Sequence, residues 1–258
     1  MDLRLPDITP RCLAVWRRNF LVWRKLALPS LLGNLADPMI YLFGLGYGLG
    51  GLLPPIEGVP YIAFLAAGTV CAATMNSASF EALYSSFSRM QVQRTWEAII
   101  NAPVSLDEVI AGECLWAASK ASLSGAAILA VSWALGFVTS PVALWTLPAI
   151  FLTGLAFAAL GLVITTLSPS FDFFMYYFTL FITPMILACG VFFPVEQLPA
   201  WLQGIARWLP LMHAVALIRP LFFGAWPQAP WLHAGMLLAI ALAAFWLAVA
   251  LARRRFLQ

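Results

Sequence analysis

His213 and His233 are the two histidines of this 258-residue chain, and Cys12, Cys71, Cys114 and Cys189 are its four cysteines. These are the side chains best suited to holding a metal or to nucleophilic chemistry, yet their spacing supports neither. There is no H-x-x-x-H, H-E-x-x-H or C-x-x-C arrangement, and the cysteines lie among apolar residues, where they read as small hydrophobes. Residues 46–51 match G-x-G-x-x-G, but Pro54-Pro55 follows where a dinucleotide fold needs a helix. A G-x-x-x-x-G-K-[ST] phosphate loop is absent from the sequence. His213 and Glu196 keep a membrane-embedded transferase as a minor reading, resting on two isolated polar side chains.

Charge gathers instead in QRTWEAIINAPVSLDEVIAGE, Gln93 to Glu113. From Gln91 to Asn101 the residues Val92, Trp96, Ile99 and Ile100 share one helical face, and Gln93, Arg94, Glu97 and Asn101 share the other. The pattern predicts a short amphipathic helix able to lie on a membrane or press into a docked partner. Pro103 interrupts it. Ser105-Leu-Asp-Glu108 then spells a capping box, in which Ser105 accepts from the Glu108 amide and the Glu108 carboxylate returns to the Ser105 amide. A new helix therefore starts here, with Asp107 and Glu108 favourable at its N-terminus. Glu113, deeper in that helix, either faces the protein interior or belongs to a longer cytosolic segment. It is too far from Lys120 for an i,i+4 pair.

The surrounding elements are those of a membrane. The chain is 62% hydrophobic and 10% charged, against roughly 25% charged residues in soluble domains. Apolar runs at 31–51, 60–80, 109–136, 143–167, 172–193 and 230–252 can each cross a hydrocarbon core, which needs roughly 20 helical residues. The expected fold is thus an all-α polytopic membrane protein with six transmembrane helices. Arg4, Arg11, Arg17, Arg18, Arg24 and Lys25 precede the first run and Arg253, Arg254 and Arg255 follow the last, whereas 52–59 and 137–142 hold no Lys or Arg. That asymmetry puts both termini in the cytoplasm. The first run starts late and lacks a small-residue cleavage pattern, so it reads as a permanent helix.

Residues 1–30 form a cytoplasmic arm whose Leu13, Trp16, Phe20, Trp23 and Ala27 make one stripe, the pattern of an interfacial helix with its arginines at anionic headgroups. The arm is followed by a transmembrane domain at 31–252 and a basic tail at 253–258. The overlapping spacings Gly44 to Gly48 and Gly46 to Gly50 make small-xxx-small surfaces for close helix packing, within the chain or between subunits. Asp172 reads as a headgroup-level residue that caps or orients the fifth helix. The segment 190–224 is broken by Pro194, Pro199, Pro210 and Pro220, so short outer helices that dip into the membrane are expected, with Trp201 and Trp208 near the aromatic belt.

The segments RMQVQRTWEAIINAPVSLDEVIAGE and GVFFPVEQLPAWLQGIARWLPLMHAV, with Ile218-Arg219-Pro220 after them, resemble the membrane subunits of type-2 ABC exporters, and among these the nodulation protein J group. The resemblance spans almost the whole chain. It implies that Arg94, Thr95, Trp96, Glu97, Pro103, Ser105 and Glu108 form a cytoplasmic coupling helix and its flank, seated on a separate ATPase. It implies that Pro194, Glu196, Pro199, Trp201, Arg207, Pro210, His213 and Arg219 belong to an outer gate with re-entrant helices. The implied assembly is two permease copies and two ATPase subunits resembling nodulation protein I, in a bacterial inner membrane, with ATP and Mg bound by the ATPase and no cofactor in this chain. Its path would run between the copies along the first, second and fifth runs.

The implied cargo is a lipo-chitooligosaccharide, and Phe173, Tyr176, Tyr177 and Phe181 offer ring faces for sugar and acyl chain. Other polysaccharides, glycolipids and drugs are carried by related permeases. The partners are then lipids, glycan and protein, with no nucleic acid. A scaffold that recruits a soluble partner without transport is the reading from a different class.

Overall fold

The computed structural model describes residues 4–56 and 58–256; residues 1–3 of the arm, 257–258 of the tail and Glu57 of the first outer turn lie outside it. Every named element among the described residues is helical, apart from an isolated bridge between Ile56 and Val59. Four helices are long and apolar enough to cross a membrane, or up to six if each of two sharply bent helix pairs forms one span.

The first bent pair is α1 (Cys12–Arg24) and α2 (Ala27–Gly50), which meet at 84°. The face of α1 turned to the bundle is Cys12, Val15 and Asn19, while Leu13 of the apolar stripe is exposed. The reason lies in a partner helix. Gly112 presses against this face so closely that a Cβ there would sit 2.5 Å from the Val15 Cβ. A small residue across the interface, rather than the largest side chains on α1, sets its rotation.

The second helix, α3 (Tyr61–Phe80), matches the expected apolar run, but the helix continues to Val92 through two widened π-turns, Glu81–Ser85 and Ser88–Val92. The whole element is 32 residues long. Its polar extension holds because a neighbouring helix supplies partners for Glu81 and Arg89. Arg94 then adopts a left-handed conformation, φ 49°, and turns the chain into α4 (Thr95–Ile100). The short helix is therefore shorter than its hydrophobic pattern predicts, and Val92 belongs to the preceding element.

The capping box forms as read. Ser105 Oγ accepts from the Glu108 amide at 3.2 Å and Glu108 Oε2 accepts from the Ser105 amide at 2.7 Å, starting α5 (Leu106–Ala134). A short 3-10 turn, Pro141–Trp145, leads to α6 (Thr146–Leu167). Helices α3, α5 and α6 make the centre of the bundle, most of their residues buried. At Gly125 of α5 an added Cβ would overlap the Thr74 hydroxyl of α3 and lie 2.8 Å from Ile150 of α6. Glycine at that position lets three helices converge.

The fifth apolar run yields a shorter helix than expected: α7 (Phe173–Tyr177), a π-turn at Phe178–Ile182 and α8 (Thr183–Ala188). Gly190 at φ 79° ends that course. Asp172 stands at its start without a side-chain cap bond, so the expected capping role is not seen. Beyond it the prolines act as punctuation. Pro194 precedes a 3-10 turn, Pro199 precedes α9 (Ala200–Ala206), and Pro210 opens α10 (Pro210–Phe222), which is bent 86° from α9. Pro220 is accommodated in the last turn of α10.

Helix α11 (Pro230–Phe256) packs along α6 and carries the three arginines in its last turn. Arg253 Nε donates to Asp107 Oδ1 at 2.9 Å, the Asp7 amide to Asp107 Oδ2 at 2.9 Å, and Arg11 Nη1 to the Pro103 carbonyl at 2.8 Å. Arg255 Nη1 reaches the Thr166 and Ser168 carbonyls at 2.9 and 2.8 Å, satisfying the end of α6. Both terminal segments therefore clasp the same end of the bundle as α4.

Candidate functional site

At that end α4 sits on a buried ionic network. Glu113 of α5 is 0% exposed and gathers donors from four directions. Arg89 Nε lies 2.9 Å from its Oε1, Ser86 Oγ 2.8 Å from Oε2, Asn19 Nδ2 3.1 Å from Oε1, and Trp96 Nε1 3.3 Å from Oε1. One carboxylate thus joins α1, the extension of α3, α4 and α5. Glu81 makes a second centre: Arg89 Nη2 is 3.0 Å from its Oε1, Trp116 Nε1 2.8 Å from the same oxygen, and Lys120 Nζ 2.8 Å from Oε2. Ser85 Oγ completes it at 2.9 Å.

A buried ion pair is favourable only when its remaining hydrogen-bonding capacity is also met. Here Arg89 bridges both acids, Lys120 adds a second cation at Glu81, and neutral donors meet the capacity left over. Such a network does little for net stability against an apolar core, but removing one member strands a charge. Its effect is to fix geometry. Lys120 pairs with Glu81, not with Glu113, and Glu113 faces the interior.

The seven residues of the expected coupling segment separate by exposure. Arg94, Glu97, Pro103 and Ser105 lie on the surface and Thr95 is half-buried, whereas Trp96 and Glu108 are buried. Trp96, read as part of the coupling segment, has its indole 0% exposed and supports α4 from beneath. Glu108 is likewise occupied by the capping box and by the Thr9 hydroxyl. Thr95 Oγ1 accepts from Arg18 Nη2 at 3.5 Å, a second tie between α1 and α4.

A groove of about 390 Å³ runs between α2, α3 and α8, lined by Asp37, Tyr41, Thr69, Asn76 and Thr183 among apolar residues. Asp37 is an exposed acid in an otherwise apolar helix, a placement that marks polar pathways. Farther along, Asn34 Nδ2 donates to Ser124 Oγ at 3.1 Å. The aromatic candidates Phe173, Tyr176 and Phe181 are exposed and Tyr177 is buried; none of them lines this groove. Of the expected packing glycines, Gly46 packs inward on Ile62, while Gly44, Gly48 and Gly50 have no atom within 4 Å of an added Cβ.

In the other expected region, Glu196, Pro199, Trp201 and Arg207 are exposed, Pro194 and Arg219 half-buried, and Pro210 and His213 buried. Arg219 lies with its guanidinium 3.9 Å from the Phe64 ring centre and donates to the Gly190 carbonyl, tying α10 to α3 and to the turn after α8. His213 Nδ1 and His233 Nδ1 are 2.9 Å apart, a contact that joins α10 to α11. Among the described residues no group of three or more His, Cys, Asp or Glu could hold a metal ion, and all four cysteines are free and buried.

Sequence reasoning passed over Glu81, Asn19 and Asp37. The signal for Glu81 was available: an acid at the end of an apolar run, with Ser85 four residues on and Arg89 eight residues on, facing Glu113 and Lys120 at the start of the next run.

Together these features define a multi-pass helical membrane protein, its short helix held against an internal ion network at one end and a polar-lined groove among its apolar helices. Residues 10–223 match the family model described as ABC-2 type transporter, and the chain belongs to that family as a membrane permease subunit of an ABC-2 type exporter. It is 49% identical to Nodulation protein J of Rhizobium meliloti over 245 residues, which cover 95% of this chain and 94% of that one. It is 50% identical to Nodulation protein J of Rhizobium leguminosarum bv. viciae over 246 residues, 95% of each chain. The Inner membrane transport permease YadH of Escherichia coli is 24% identical over 213 residues, 82% of each chain. Members of this family are transport subunits, not catalysts.

Proposed function

We propose that this permease moves a lipo-oligosaccharide or related glycan across a bacterial inner membrane, driven by a separate ATPase that binds ATP and Mg and seats against α4. The observation that carries the reading is the attachment of an exposed helix to a buried hub: Arg94 and Glu97 face outward, while Trp96 of the same helix is fixed to Glu113. A force applied to the outer face of α4 is delivered to α1, α3 and α5 at one atom cluster. Two copies with two ATPases form the working unit, with α4 and both termini cytoplasmic, in keeping with the arginine distribution.

The groove with Asp37, Tyr41, Thr69 and Asn76 suits an acylated sugar, because it sets hydroxyl-binding groups beside apolar walls. The 46–50% identity to six Nodulation protein J chains supports the glycolipid class over a drug. The test is transport: inside-out vesicles holding the permease with its ATPase accumulate a labelled lipo-chitooligosaccharide when ATP is added. Accumulation of an unrelated drug, with no uptake of the glycolipid, would overturn the substrate class.

A further inference from the structure

A recess of about 260 Å³ opens where α1 bends into α2, between these helices, the extension of α3 and the Trp116–Lys120 stretch of α5. Arg18, Arg89 and Lys120 contribute to its lining, together with Glu81, and Trp23 and Trp116 form an aromatic wall, their rings 5.7 Å apart. Arg89 and Lys120 are paired with Glu81 and Glu113. Arg18 hydrogen-bonds to neutral oxygens, Asn19 Oδ1 at 3.0 Å and Thr95 Oγ1 at 3.5 Å. Three cations therefore face two carboxylates, and the cluster carries one surplus positive charge in a partly buried place.

We propose that this recess binds the phosphate group of an anionic phospholipid. The elbow is where an amphipathic, arginine-bearing helix gives way to an apolar one, the level at which headgroups lie. A phosphate monoanion matches the surplus charge, Arg18 supplies a planar donor fork for it, and Trp23 with the apolar start of α2 accommodates the glycerol and upper acyl chain. Because Arg18 also reaches Thr95, a bound phosphate stiffens the contact between α1 and α4. The site stands apart from the transport reading, since it concerns a resident lipid and needs neither cargo nor ATPase.

The test is native mass spectrometry of the purified permease after exchange into micelles with phosphatidylglycerol or phosphatidylethanolamine, repeated with added inorganic phosphate. The parent retains phosphatidylglycerol about tenfold better than phosphatidylethanolamine, because the two share the phosphate anion and the surplus positive charge of the cluster repels the ethanolamine ammonium. Arg18→Gln abolishes that preference, Arg18→Lys keeps part of it, and Arg17→Gln, a change at an exposed position of the same helix, leaves it intact. Displacement of the lipid by millimolar inorganic phosphate would assign the site to a soluble phosphate while keeping its chemistry. Equal retention of both lipids by the parent, with no phosphate binding, or equal loss in the Arg17 and Arg18 variants, would overturn the proposal.

Discussion

The Trp96 indole nitrogen lies 3.3 Å from Oε1 of Glu113, and both residues are fully buried. This contact joins a six-residue surface helix to the interior of the bundle. Arg89, Ser86 and Asn19 converge on the same carboxylate, so the contact ties α4 to α1, to the extension of α3 and to α5.

Glu113→Ala is expected to destabilise the purified permease by about 3–5 kcal/mol, because Arg89 loses one of its two acids while remaining buried. Thermal unfolding in detergent measures this. Glu113→Gln keeps the shape and one acceptor oxygen, and should fall between Ala and the parent.

Trp96 can be separated into packing and hydrogen bonding. Trp96→Ala removes a large buried side chain and costs about 3–5 kcal/mol. Trp96→Phe retains most of the fill and loses the bond to Glu113, costing about 1 kcal/mol. Its larger effect is on coupling: ATP hydrolysis by the assembled complex should become less dependent on cargo, at matched permease level.

Replacing Ser105 by Ala deletes half of the capping box and should cost about 0.5–2 kcal/mol. The change acts at the first turn of α5, so faster amide exchange at residues 105–110, with the rest of α5 unchanged, is the expected pattern.

Gly125→Val drives a branched side chain into the Thr74 hydroxyl and Ile150. Overpacking of this kind costs about 1–3 kcal/mol. Lower yield of folded protein and a lowered unfolding temperature are expected, while Gly44→Val, where no atom lies within 4 Å, should leave the isolated chain unchanged.

How far the sequence could be read depended on whether a signal was local. The capping box at Ser105 and Glu108 was legible because all its partners lie within four residues. The apolar runs and the prolines at 194, 199 and 210 were legible for the same reason. The extension of α3 to Val92 was not, since Glu81 and Arg89 find their partners in α5. The rotation of α1 depended on Gly112, a residue nearly a hundred positions away. Trp96 was placed on the right helix and on its apolar face, but an indole on a short charged helix reads equally as a surface anchor or a core contact. Glu113 decides between them, and nothing in the spacing of the two residues announces it.

The central claim is that the exposed face of α4 receives the stroke of the ATPase. The most direct measurement is ATP-driven glycolipid uptake into inside-out vesicles by complexes carrying Arg94→Glu or Glu97→Lys, with permease level, unfolding temperature and captured ATPase determined on the same preparations. Both positions are exposed, so the unfolding temperature should stay at the parent value while captured ATPase and uptake fall together, by about tenfold for a charge pair broken in a desolvated contact. Parent-level assembly and uptake in both variants would contradict the account and leave α4 as a connector.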